Sequence, residues 1–216
     1  MTNPVIVHGI AGSPFLRAVL LTLEEKGVAW RLSPIGPGDN QSPAYLAKMP
    51  FGRVPVVEHE GFVLYETQAI ARWIDAAFDG PSLQPAEPRA AARMNQLLGI
   101  NDWYVWRSCA VPIVFERIIK PAFLNQPTDE AAITPALPLA RTTVSTLDAM
   151  LGEQAYMTGD APSLADLILA PQLDYFAATP EGALMMPGTR LPAWLARLQA
   201  RPSWAATATE VLRAAA

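Results

Sequence analysis

The rhythm of apolar and polar positions changes partway along the chain. Val5-Ile6-Val7 is a short continuous apolar run and reads as a buried strand. A glycine-containing turn at 9–12 leads to Pro14, a residue favoured in the first turn of a helix. Leu16, Val19, Leu20 and Leu23 recur at i, i+3, i+4 and i+7, which predicts a helix with one apolar face, closed by Gly27. Trp30-Arg31-Leu32 predicts a second strand and completes a βαβ unit. The stretch 34–43, rich in Gly, Pro and Asn, is a loop, and 43–48 reads as a short helix. Runs at 55–59 and 62–65 flank Glu60-Gly61, a hairpin signal. Ile70, Trp73, Ile74 and Ala77 then mark an amphipathic helix.

Residues 80–88, with three prolines and a glycine, interrupt this pattern and read as a linker. Beyond them the period is helical. One long helix is expected over 89–120, with Pro112 as its kink. Another is expected over 135–151, and two final ones over 191–200 and 202–213. Ser163-Leu164-Ala165-Asp166 is a capping box in which Asp takes the place usually held by Glu or Gln. Leu164, Leu167 and Ile168 form the apolar face behind it.

Composition narrows the function classes. Apolar residues make up 51% and charged residues 17%, so a sizeable core is available. The formal charge of −4 argues against a general nucleic-acid binder, which carries a basic surface. The single cysteine, Cys109, allows no intrachain disulfide, and it is expected to be buried and inert. No segment reaches the roughly 20 apolar residues of a membrane span, and the N-terminus has no basic leader pattern. A soluble cytoplasmic protein is expected. His8 and His59 are the only histidines, and no Cys/His cluster has metal spacing, so no metal site is expected.

The chemistry concentrates in Phe51-Gly52-Arg53-Val54-Pro55 and Leu64-Tyr65-Glu66-Thr67-Gln68-Ala69-Ile70. Pro55 cannot donate a ladder hydrogen bond and belongs at a strand's first residue. A cis Val54–Pro55 bond is expected, turning the preceding backbone outward to pair with an extended peptide. Glu66 and Thr67 fall where the next helix begins, and its free N–H groups and dipole suit a carboxylate. Either element alone has a plain reading, as a strand start or a helix cap.

Together, in this order and spacing, they resemble the glutathione S-transferase family. The likeness extends to 8–23 and 158–170. It implies a thioredoxin-like α/β domain over 1–80, a linker over 81–88 and an all-helical domain over 89–216. It also implies a homodimer with glutathione as cosubstrate and a small hydrophobic electrophile as partner. Val54 and Pro55 would pair with the cysteinyl unit, and Glu66 and Thr67 would hold the γ-glutamyl group. Gln41, Lys48 and Arg53 are candidates for the glycine carboxylate, with Arg53 first.

Ser13, in Ser13-Pro14-Phe15-Leu16-Arg17, is similar to the Ser-x-x-x-Arg segment of the serine-type classes, where the serine donates to the thiolate. Its plain alternative is an N-cap without a catalytic role. A glutathione thiol behaves like cysteine, with a pKa of about 8.5, and lowering it two units takes roughly 2.7 kcal/mol. A hydroxyl beside a helix N-terminus is of that order. No cysteine stands at this position, which disfavours mixed-disulfide chemistry, and His8 reads as a packing or loop residue.

Trp103, Trp106, Arg107 and Val111, with Tyr104 and Phe115 nearby, offer surface for a flat apolar electrophile. Some of these must instead be core. Rival readings on the same fold are a glutathione-dependent isomerase, dehalogenase or peroxidase, or a regulatory protein that binds glutathione without turnover.

Overall fold

A computed structural model describes residues 3–214. The contacts divide the chain into two compact units. The first runs to Gln84 and takes in the stretch from Gln199 onward, and the second is Pro85–Leu198.

In the first unit, β1 (Val5–Gly9), β2 (Trp30–Pro34), β3 (Val56–His59) and β4 (Phe62–Tyr65) form one sheet in the order β2-β1-β3-β4. The β1–β2 pair is parallel, and the β1–β3 and β3–β4 pairs are antiparallel. Alternation along β1 sends Val5 and Val7 to one face, where they meet α1 (Pro14–Lys26) and α3 (Thr67–Ala77). Leu16, Val19, Leu20 and Leu23 of α1 join Val57, Ile70, Ile74 and Leu212 in that core. Gly27 closes α1 in the left-handed conformation, with φ 67°, and donates to the carbonyls of Leu23 and Glu24. The other face is covered by α2 (Pro43–Leu46), with Tyr45 and Met49 on Val56. Glu60 and Gly61, with φ of 49° and 84°, make the tight turn of the β3–β4 hairpin.

Three details differ from the sequence reading here. The buried stripe of α3 is Ile70, Ala71 and Ile74, whereas Ala77 is exposed and Trp73 lies at the margin against Phe62 and Phe78. The helix expected over 202–213 is two helices, α11 (Pro202–Ala206) and α12 (Thr209–Ala214). The Arg17 guanidinium takes the carbonyl of Trp204 at 3.0 Å, and Ala208 N–H turns back to Ala205 instead, at 3.2 Å. Arg17 also lies 3.9 Å from the centroid of the Trp204 ring. The C-terminal stretch, assigned by sequence to the helical domain, packs through Leu212 into the core beside Val5 and Val7.

The second unit is helical. α4 (Pro88–Ile100) leads into Asn101–Ile119, which is wound as a π-helix, and then α5 (Lys120–Leu124). The single α-helix expected over 89–120 is thus replaced by a wider coil in its second half, and that coil passes Pro112 without interruption. Asn101, Val105, Cys109 and Ile113, four apart, are among its buried residues. A short α6 (Glu130–Ile133) and a turn at Thr134–Ala136 precede α7 (Leu137–Leu151), which takes up the helix expected over 135–151.

α8 (Leu164–Ala177) is buried on every side from Leu164 to Leu173, not along the one face expected. A helix apolar all round is a central one. Its start depends on Asp166, which is fully buried. Asp166 accepts from Ser163 N, Ser163 Oγ, Met157 N and Trp194 Nε1, each at 2.8 Å. Burial pushes this carboxyl above its ordinary range, and the four donors pull the other way. Asp166 is thus more than a cap, because it also anchors the loop before α8 and α10 (Leu191–Gln199). Between them α9 (Pro180–Met185) carries Glu181, which pairs with Arg117 of the π-helical segment.

Candidate active site

The sheet registers bring the sequence-marked residues of the first unit to one end. β1 runs out at Gly9, beside Pro34 of β2, and Ser13 follows three residues after the turn begins. His8 of β1 lies opposite Val56, the first residue of β3, which Pro55 precedes. Val56 in turn lies opposite Tyr65, the last residue of β4, which Glu66 follows. Four separate chain segments therefore deliver Ser13, Val54-Pro55, Glu66-Thr67 and the 35–42 loop to the same edge of the unit. The Val54–Pro55 bond is cis, as expected.

Ser13 is the N-cap of α1. Its Oγ accepts from Leu16 N at 3.4 Å, and its own O–H remains available as a donor. Glu66 is the residue before α3 and has φ 73° and ψ 113°, an unusual place for a residue with a side chain. Its carbonyl accepts the first helical bond from Ile70 N at 2.9 Å, yet its carboxylate caps nothing and stands exposed. The first N–H groups of α3 lie beside it.

Around the 35–42 loop the candidates separate. Lys48 is ion-paired with Glu58. Gln41 reaches the carbonyl of Gly52 through a long contact of 3.5 Å, while Asn40 holds it at 2.7 Å. Gly52 is required there: a Cβ would strike the Gln41 amide, and its φ is 61°. The Arg53 carbonyl accepts from Tyr45 Oη at 2.7 Å, its guanidinium is exposed, and burial pushes the Tyr45 phenol up to about 12.

His8 does more than pack. Its Nε2 donates to Glu58 Oε1 at 2.6 Å, and Glu58 also receives Lys48. Burial lowers the His8 pKa below its ordinary value, and Lys48 and Arg31 add to that against the pull of Glu58. For His8 and Glu58 the sequence signal is period two along β1 and β3, which puts the two on one face.

In the second unit, Trp103, Trp106, Arg107 and Val111 line an open cavity of about 500 Å³ together with Asp102. The guanidinium of Arg107 lies 4.3 Å from the Trp103 ring centroid. Tyr104 and Phe115 are exposed but do not line this cavity. Asp102 escaped the sequence reading, although its spacing of four from Trp106 already places the two on one helical face. Cys109 faces inward, and burial pushes its thiol up to about 11.

Comparison with known proteins agrees with the fold. Models of the glutathione S-transferase N-terminal and C-terminal domains match residues 7–82 and 130–197. The chain is 31% identical to a probable glutathione S-transferase of rice (Oryza sativa subsp. japonica), GSTF1, over 93% of this chain and 94% of that one. Among solved structures it superposes on glutathione transferase F2 from Populus trichocarpa with a TM-score of 0.87 and 28% identity, covering 98% of this chain and 100% of that one. It superposes on maize glutathione S-transferase I in complex with an atrazine glutathione conjugate with a TM-score of 0.84 and 26% identity, covering 99% and 100%. The chain belongs to the glutathione S-transferase family.

Proposed function

We propose that this transferase joins the sulfur of glutathione to a small aromatic or otherwise apolar electrophile, and that Ser13 is the group that keeps the sulfur ionised. The observation that carries the reading is the convergence of Ser13, Pro55 and Glu66-Thr67 at one end of the sheet, delivered by three different strands. Val54 and Pro55 hold the cysteinyl backbone. Glu66 takes the γ-glutamyl ammonium, and Thr67 with the α3 N-terminus takes its carboxylate. Arg53, exposed and held through its carbonyl by Tyr45, receives the glycine carboxylate, with Gln41 beside it.

Ser13 Oγ is already engaged by Leu16 N as an acceptor, so its hydrogen is directed elsewhere, and a thiolate is the acceptor proposed. The thiol proton leaves to solvent, the thiolate attacks the electrophilic carbon, and the leaving group departs with its electron pair. The cavity around Trp103 and Trp106 takes the electrophile.

Ser13→Ala is expected to lower kcat at least about ten-fold and to change glutathione affinity little, because the bond matters most to the anion. Thiolate absorbance of the binary complex should titrate at higher pH in the variant. Coincident titrations would reduce Ser13 to a helix cap.

A further inference from the structure

The cavity on the π-helical segment contains a cation for which an apolar electrophile has no use. Arg107 is exposed and rests on the Trp103 ring. Among the described residues it forms no ion pair, whereas Arg117, Arg190 and Arg201 each close on carboxylates. The acid in the same cavity, Asp102, accepts from Asn101 Nδ2 at 3.1 Å. Stacking fixes the plane of the guanidinium and leaves the N–H groups at its edge open, the arrangement that binds a carboxylate through two parallel hydrogen bonds. Trp103, Arg107 and Val111 are four residues apart on the outer face of the wide coil, so the indole, the cation and an aliphatic wall line one cavity.

We infer that the preferred electrophiles are flat aromatic acids, with the ring packed on Trp103 and Trp106 and the carboxylate held by Arg107. The inference rests on the transferase reading above and names its substrate class. For an aryl chloride the chemistry balances without an oxidant. The thiolate sulfur forms a bond to the ring carbon, the carbon–chlorine bond breaks, and chloride leaves with the electron pair. Arg107 does not touch the reacting atoms. It determines specificity.

The test uses a matched pair of substrates, a chlorodinitrobenzoate with its carboxylate para to chlorine and the methyl ester of the same acid. Wild type should show the lower KM for the acid. Arg107→Gln should raise the KM of the acid at least about ten-fold relative to that of the ester, the loss expected for a charged hydrogen-bond pair. Arg107→Lys should restore part of that ratio, and Asp102→Asn should lower the KM of the acid by removing a like charge. An unchanged acid-to-ester ratio in Arg107→Gln would overturn the inference. Failure of the transferase reading would look different, because neither compound would be conjugated by wild type. Binding then decides separately. Quenching of tryptophan fluorescence by the chlorine-free dinitrobenzoate and by its methyl ester should favour the acid in wild type and lose that preference in Arg107→Gln. Equal quenching by acid and ester in wild type would also sink it.

Discussion

Glu66 has a backbone conformation that a glycine would adopt at less cost. Its φ of 73° precedes α3 at the sheet end where Ser13 and Pro55 also lie. Strain of this kind is of order 1–3 kcal/mol and persists only where the surroundings enforce it. Two substitutions separate the roles of backbone and charge. Glu66→Gly should stabilise the protein by about 1 kcal/mol in urea titrations while weakening glutathione binding by calorimetry. Glu66→Gln should leave stability near that of wild type and still weaken glutathione, because it keeps the strain and removes the charge. Equal glutathione affinity in all three proteins would take Glu66 out of the site. The sequence made the residue legible as a helix start. It gave no sign of the positive φ, because a lone glutamate before a threonine carries no backbone signature.

Among the elements, β1 carries a group whose charge depends on folding. His8 is held below its ordinary pKa by burial, with Lys48 and Arg31 adding to it, and Glu58 opposes. The unfolded chain therefore takes up this proton first as pH falls through about 6.5. Stability contributed by neutral His8 is present above that value and is lost as pH drops towards the lower folded pKa. Glu58 is held down chiefly by Lys48, so its contribution is lost only at more acid pH, as pH falls below the ordinary glutamate range and through its folded pKa. Urea midpoints at pH 7 and pH 5 should fall further apart in wild type than in His8→Gln. Equal differences would show that His8 titrates alike in folded and unfolded chains.

The strands and α1 were readable because their periods are local. A short continuous apolar run marks β1, and i, i+3, i+4 marks α1 with its proline start and glycine stop. The π-helical winding of Asn101–Ile119 was not readable, because apolar residues three and four apart suit an α-helix equally well. The same segment still offered Trp103, Trp106, Arg107 and Val111 as neighbours, since spacings of three and four link Trp103 to Trp106 and Arg107, and Arg107 to Val111. The pairing of Lys48 was not readable for a third reason. Its partner Glu58 is ten residues away across a turn, and no helical or strand period links the two.

At the scale of the molecule, the break between units does not follow chain order. Leu212 sits in the core formed by Val5, Val7 and Leu16, and Trp204 is clamped by Arg17. Glu25 adds an ion pair with Arg201 and a hydrogen bond from Ser203. Leu212→Ala should cost about 2–4 kcal/mol, as large-to-small changes in a closed core do. The loss should appear in hydrogen exchange of α1 and β1. Full protection there in the variant would mean that Leu212 only covers the core.

The linkage of Leu212 and Trp204 to α1 has a consequence for the order in which the protein is made. A ribosome delivers about 5–20 residues per second, and most domains close in the order in which they emerge. Here β1, α1 and the rest of the sheet are complete by Tyr65, but the leucine that fills their core arrives only after all of Pro85–Leu198 has been synthesised. The wait is on the order of ten seconds at those rates. Through that interval the sheet unit lacks the side chain that completes its core, whereas the helical unit gains every residue it needs before Leu212 is added.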